Sequence, residues 1–568
     1  MKSIILSVAC LFFLSGLRSQ SSTDKYFNLT RKGFNAKNAL TTTAYVEERW
    51  RVPGNTGFTE SIYYVENILK TAGFVKQQDS EQEAPLTYRL EKRTLKDPTW
   101  EPVDASVTIA GQNTPLLKFS TNRNMIPINC PSTAEGGVIA EVVYIPEDSV
   151  NNISGMDLKG KIAFAEIQSG AFLSAAAKAG AIGILEYSMP SYTKPETNPT
   201  SIQFGSIRQN STIWALFLSY GAKEKLKTAC RAGKVLLNVK ISTKSYPSEE
   251  LTLVANVRGT VRPGQRLVYS AHVQEPGAND NASGVGALAE MARLTANLVK
   301  TKQVNPQRTL TFLWGTEISA TARYIKEDTA RATGILWGLS LDMVGEDTKK
   351  TGGTFLIEKM PDPSAIWTRG EDKHSEWGAG VVGEKDLFPH YYNDLILEIC
   401  KAQGKYANWV VNTNPFEGGS DHTPFLNNKI PGLLLWHFTD MFYHTDNDRL
   451  DKVSAETLKN VGVSALTTGL FLASADQAAA LEVIRWVKTA ADKRMETELA
   501  LSRKAIAAGK PADKEKQILQ SWSNWYTGAL TSIGNLPVKK ETTRVGSAIK
   551  FAVTSLEKNT TAQLSELH

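Results

Sequence analysis

The sequence is poor in cysteine, with four in 568 residues. Cys10 falls in an apolar leader. Cys130, Cys230 and Cys400 are odd in number and far apart, which excludes a disulfide framework. Each reads as a small buried apolar residue, with a Cys130–Cys230 bridge inside one domain as an open alternative. The chain has no dense Lys/Arg run, and a net charge of +6 over this length is weak. That argues against nucleic acid as an obligate partner. It has no convincing repeat or low-complexity tract. After the leader, no apolar stretch is long enough to read as a membrane span.

What is present is an ordinary globular composition, 42% hydrophobic and 21% charged, so a sizeable core forms and large-scale disorder is excluded. At this length one core is not enough, and two or three domains are expected. Lys2, the apolar run IILSVACLFFLSGL and the polar RSQSS form an export signal, with cleavage expected near Ser19 to Ser22 and a secreted or periplasmic product. Too few apolar residues precede Cys10 for a lipoprotein leader to be the better reading.

The rest divides by pattern. The stretch AYVEERWRVPGNTGFTESIYYVENILKTAGF predicts two helices broken at Pro53 and Gly54, the second stopping at Gly73. Strand-like sequence follows. Residues 115–245 read as an inserted β-rich unit, with strands in GGVIAEVVYI and KGKIAFAEI, then helix and buried strand in AFLSAAAKAGAIGILEYS. Residues 246–475 alternate strands (LTLVANVRG, RLVYSAHV, RTLTFLWG, GILWGLSLDMV, PGLLLWHF) with helices such as SGVGALAEMARLTANLV. This predicts an α/β domain, 24–114 with 246–475, whose mostly parallel sheet is covered by helices on both faces. Residues 476–568 predict a helical C-terminal extension with a loose tail after about Glu541, and residues 1–20 are the signal peptide.

Ligands of such sheets bind beyond the carboxyl ends of the strands. His272, Asp280, Glu317, Asp342 and His444 each sit where an apolar run gives way to a loop, in VYSAHVQEPGANDNASG, LTFLWGTE, LSLDMVG and MFYHTDND. Two imidazoles and three carboxylates suit zinc in an open site, where a bound water becomes a nucleophile near neutral pH. Each residue also has a bland reading. Taken alone, His272 reads first as a satisfied core or surface histidine. Asp280 reads as a helix cap beside Asn279, Asn281 and Ser283. Asp342 reads as a turn residue before Gly345. A lone buried carboxylate is costly without a cation, however. Asp446, Asp448 and Asp451 either orient the His444 loop or are solvated, and solvation is the expectation for Asp446 and Asp451.

PGANDNASGVGALAEMAR resembles the bridging-aspartate motif of the zinc exopeptidase family that includes secreted bacterial aminopeptidases and glutamate carboxypeptidase, metallopeptidase family 28. GKIAF and AAAKAGAIGIL resemble the protease-associated domain, here inserted. The likeness to the peptidase family runs over residues 40–475 and includes the R.PGNTG..ES region. It implies a metal-dependent exopeptidase, most often an aminopeptidase, with a peptide substrate and one or two zinc ions. It implies His272, Asp280, Asp342 and His444 as metal ligands. His422, in EGGSDHTPF, resembles a family loop near the substrate and is expected to contact substrate. His374, His390, His437 and His568 are expected to be structural or exposed.

The sequence departs from the family at one strand end. The family has two adjacent glutamates there, a general base and then a zinc ligand. This chain has Thr316, Glu317, Ile318 and Ser319. Either Glu317 is the base and Ile318 replaces the ligand, or Glu317 is the ligand and Thr316 replaces the base, work a hydroxyl cannot do. The base reading is preferred, and it leaves the second ion with Asp280 and His444 alone. Gln274 stands where the family often has an aspartate orienting the first histidine. Glu275 offers another carboxylate but is expected to be a solvated loop residue. Two rivals stand beside the hydrolase. One is a binding protein with a degraded metal site. The other is a glutaminyl-cyclase-like acyl transferase on the same fold. Oligomeric state and side-chain preference are not legible.

Overall fold

The computed structural model describes residues 21–77, 84–168, 170–539 and 542–568, and the signal-peptide reading of residues 1–20 lies outside them. Strands β1 (Val75–Lys76) and β2 (Leu86–Thr94) begin one sheet. Strands β3 (Thr99–Ile109), β4 (Leu117–Lys118), β5 (Val138–Ile145), β6 (Ile162–Ala165), β7 (Gly183–Glu186), β8 (Trp214–Phe217) and β9 (Val235–Tyr246) form a second. Strands β10 (Glu249–Val257), β11 (Arg262–His272), β12 (Arg308–Gly315), β13 (Ile335–Leu341), β14 (Thr354–Glu358), β15 (Asn412–Asn414) and β16 (Gly432–Phe438) complete the first.

The first sheet runs β1-β2-β10-β12-β11-β13-β16-β14-β15. Its centre, β12-β11-β13-β16, is parallel, and β10 and β14 flank it antiparallel. Every residue of β12 and β16 is buried. Such uninterrupted burial requires cover on both faces. Successive residues of β11 show it. Leu267 and Tyr269 join one core with the helices Ala282–Lys300 and Ala455–Ala473, while Val268 joins a second with Tyr324 and Phe425. The break at Pro53 and Gly54 separates the helices Ala36–Glu47 and Thr56–Ala72, and Gly73 stops the second in the left-handed region at φ 96°.

The second sheet has its own core, from Trp100 to Ile241. Strand β9 alternates buried and exposed residues along its first half, the mark of a sheet with one solvated face. This unit begins sixteen residues earlier than the sequence pattern suggested, at Thr99 rather than 115, because β3 pairs antiparallel with β9 from Thr99↔Tyr246 to Ile109↔Leu237. Strands β2 and β3 are separated only by residues 95–98, and neither burial pattern reveals that they enter different sheets.

The C-terminal extension forms the helices Gln477–Ala507, Ala512–Ser532 and Thr542–Ser565. The tail expected to be loose is therefore helical, and it packs through Val545, Ala552 and Leu556. Val487, Leu519 and Trp522 join the core of the first sheet. Buried Arg308 donates to the carbonyls of Leu472 and Leu536, tying the extension to β12. Among the described residues no helix is long and apolar enough to cross a membrane. Cys130, Cys230 and Cys400 are free, so the Cys130–Cys230 bridge is not formed.

Candidate metal centre

The parallel strands deliver three ionisable groups to one edge. His272 is the last residue of β11, Asp342 follows β13, and Glu317 lies two residues past β12. Asp280 sits in the turn before the helix Ala282–Lys300. Its backbone N–H and that of Asn279 donate to the Asp448 carboxylate at 3.0 and 2.8 Å. Gly277 is needed beside them, since a Cβ there would stand 2.1 Å from Asp448 Oδ2. The same loop is tied down by the fully buried Arg51 of the R.PGNTG region, which donates to the carbonyls of Val273 and Gly277 at 2.7 and 2.8 Å. Burial lowers the Arg51 pKa to about 9.

Two donor groups result, and Asp280 belongs to both. His272, Asp280 and Asp342 form one, and Glu275, Asp280 and His444 the other, with the donor atoms of each group within 4.8 Å of one another. In the first, His272 Nε2 lies 3.2 Å from Asp342 Oδ1 and 3.6 Å from Asp280 Oδ1. In the second, His444 Nε2 lies 3.0 Å from Asp280 Oδ2 and 3.4 Å from Glu275 Oε2. Asp280 thus turns one oxygen to each side. His272 Nε2, Asp280 Oδ1 and Asp342 Oδ1 are buried without a hydrogen-bond partner, although they face one another. Orphaned acceptors and an imidazole nitrogen aimed at one point are what a divalent cation would satisfy. His272 Nδ1 lies 3.3 Å from the Gln274 carbonyl; donation there leaves Nε2 free for a metal.

Glu275 and Glu317 hold their protons more tightly than free carboxylates, in part because neighbouring carboxylates press on them. Burial, then Asp280, pushes Glu275 up to about 7. Burial is the largest single influence on Asp280 and raises it, but the hydrogen bond and charge of His444, the charge of His272 and a hydrogen bond with Glu275 together hold it at about 2. Burial opposes charge on His444, yet Glu275 and Asp280 raise it to about 10. Burial also raises Glu317 well above the carboxylate range; His272 opposes this, and Glu275 and Asp342 add to it.

Glu317 belongs to neither donor group, though its Oε1 is 3.9 Å from His272 Nε2. Gln274 grips it at both ends. The Glu317 N–H donates to Gln274 Oε1 at 2.7 Å, and Gln274 Nε2 reaches Glu317 Oε2 at 3.4 Å. The residue that departs from the family at the histidine therefore serves the glutamate. Glu275 corrects the expectation of a solvated loop residue: its carboxylate faces Asp280 and His444. His422 corrects another. It is fully buried, with Nε2 2.8 Å from Glu358 Oε1, and the cavity wall does not include it. Glu358 also accepts the Gly418 N–H, so this pair stands behind the loop that carries Ser420, whose Oγ donates to Asp342 Oδ2 at 2.8 Å. Nothing in the sequence joins Glu358 to His422; only the fold does.

His444 is held mainly by the inserted unit. Its carbonyl accepts the Phe204 N–H at 2.9 Å and the Asn124 side-chain amide at 3.3 Å, and its ring lies 4.5 Å from that of Phe204. Asp446, expected to be solvated, is buried in this seam. It exchanges backbone and side-chain bonds with Ile202 and accepts from Asn122. Asp451 is exposed. The groups open onto a cavity of about 210 Å³ whose wall includes Met343, Trp377, Leu434, Trp436 and Tyr443.

Comparison with known proteins bears on the fold and on part of the chain. Residues 252–468 match the model of peptidase family M28. A search of curated proteins finds no match. Among solved structures, a peptidase M28 precursor from Shewanella amazonensis SB2B is similar at 17% identity and a TM-score of 0.53, covering 79% of this chain and 96% of its own. BSAP, a zinc aminopeptidase from Bacillus subtilis, is similar at 16% identity and a TM-score of 0.51, covering 77% and 94%. At these identities the structural likeness concerns the fold. The matched stretch, residues 252–468, is the one that carries both donor groups.

Proposed function

We propose that this chain is a member of peptidase family M28 and an exported, zinc-dependent aminopeptidase that holds two ions. The observation that carries the reading is Asp280, which offers one carboxylate oxygen to each of two donor groups. The relative from Bacillus subtilis, a zinc aminopeptidase, supports zinc as the metal. His272 and Asp342 would hold one ion and His444 the other, with Asp280 shared. When bound, zinc supplies a Lewis acid for the scissile carbonyl and makes water acidic enough to lose a proton near neutral pH.

The chain's own residues do the rest. Glu317 stands beside the first donor group without belonging to it, the place of a general base. It takes the proton of the attacking water and passes it to the leaving amine. Gln274 fixes the backbone of Glu317 and its Oε2, which leaves Oε1 on the side of His272 and the first donor group. The aromatic wall of Trp377, Trp436 and Tyr443 favours an apolar residue at the substrate's amino end.

Glu317→Gln separates base from ligand. We expect it to keep its zinc and lose turnover by about 10²–10⁴-fold on a panel of aminoacyl and dipeptidyl amides, measured with and without chelator. Unchanged turnover sinks the mechanism, and loss of the metal moves Glu317 to the ligand role. Activity on the wild-type panel that survives complete metal removal overturns the metallopeptidase reading.

A further inference from the structure

Ile318 stands where the family pattern asks for a zinc ligand, and it has no donor atom to give. Its backbone turns through φ 55°, its side chain is 40% exposed, and its N–H is spent on Asp421. The donor count is nevertheless balanced. Each group has one imidazole, one carboxylate of its own and one oxygen of Asp280. On the first side the private carboxylate is Asp342; on the second it is Glu275. We infer that Glu275 is the third protein ligand of the second ion, supplied by the loop after β11 in place of the strand end after β12.

The backbone shows that this loop is held, not merely folded over. Glu275 has φ 81°, a conformation a side-chain-bearing residue adopts only where its surroundings enforce it. The enforcement comes from Arg51, whose carbonyl accepts the Glu275 N–H at 3.2 Å while its guanidinium grips Val273 and Gly277 on either side. A solvated loop glutamate needs no such frame. Glu275 also follows Gln274, the residue that anchors Glu317. One pair of neighbours therefore makes up for both departures from the family pattern, Gln274 by fixing the base and Glu275 by completing the second donor group.

The inference rests on the two-ion reading proposed above, and the test keeps the two apart. Apo protein of the full chain is titrated with zinc in competition with a chromophoric chelator. Wild type is expected to take two ions. Glu275→Gln, which keeps shape and removes charge, should weaken one of them by about 100-fold or more and leave the other within a few-fold. Glu275→Asp should fall between. Cobalt absorption, titrated in parallel, should lose the spectrum of one ion only, and apo thermal unfolding verifies that the variants fold. Equal affinity for both ions in Glu275→Gln, or equal loss of both, overturns the role of Glu275 while the metallopeptidase reading stands. A wild-type protein that binds no zinc overturns that reading itself.

Discussion

The two halves of the candidate metal centre are built from different material. His272 and Asp342 are carried by adjacent central strands, β11 and β13, paired in parallel through Ser270↔Ser340. Their spacing is set by the sheet, which is buried on both faces. Glu275 and His444 come from loops with left-handed backbones at φ 81° and 61°. One is framed by Arg51 and the other is clamped by Asn124, Ile202 and Phe204 of the inserted unit. A strand end is positioned by a ladder of hydrogen bonds that the whole domain stabilises. A loop ligand is only as well placed as the few contacts that hold it. The inserted unit is therefore part of the second half's geometry and not only a neighbour of the site.

The largest test of this contrast strikes the residue common to both halves. Asp280→Asn should weaken both ions by more than about 100-fold, since the bridging charge serves each, and zinc titration by calorimetry would show it. Retention of either ion at wild-type affinity would break the shared-ligand picture. Next come the supports of each half taken singly. Ser420→Ala removes the hydroxyl on Asp342 and should weaken the first ion by about 10–100-fold, while Asn124→Ala loosens the His444 carbonyl and should do the same to the second. If both variants weaken the same ion, the division between sheet and inserted unit fails.

The smallest effect on the centre is expected from a group remote from it. Asp394 is buried near the C-terminal helices, with one oxygen unpartnered, and burial together with Asp362 raises it to about 7, against the pull of Lys359. A carboxyl raised in the folded state is protonated there over a range where the unfolded chain has already ionised. Its contribution is thus fully present below about pH 4 and is lost as pH rises towards 7. Asp394→Asn should stabilise the protein by roughly 1–3 kcal/mol at pH 8 and be neutral near pH 4, with both zinc affinities unchanged. Denaturant unfolding at the two pH values checks the first, and the same titration the second.

Much of the candidate site was legible because its ionisable groups interrupt conspicuous patterns. His272 and Asp342 close apolar strand runs, and Asp280 lies in a turn with a specific motif. Glu275 was not legible. A glutamate in a polar loop looks solvated until Arg51, distant in sequence, is seen to fold that loop inward. Asp446 was misread for the same reason, because its partners Asn122 and Ile202 lie in the inserted unit. The role expected of His422 shifted because Glu358 lies on another strand altogether. The early start of the second sheet was hidden because a strand's sequence records that it is half-buried, not which sheet it joins.

By itself the sequence determined the alternation of strands and helices, the two cores and the residues with chemistry to offer. Those follow from periodicity and from side-chain type, which are local. The tertiary structure alone decided that Glu275 sits opposite His444, that Gln274 holds Glu317, and that the inserted unit grips the second half of the centre. These depend on distances between segments far apart in the chain. Such distances are set by how whole layers pack, and no short stretch of sequence records them.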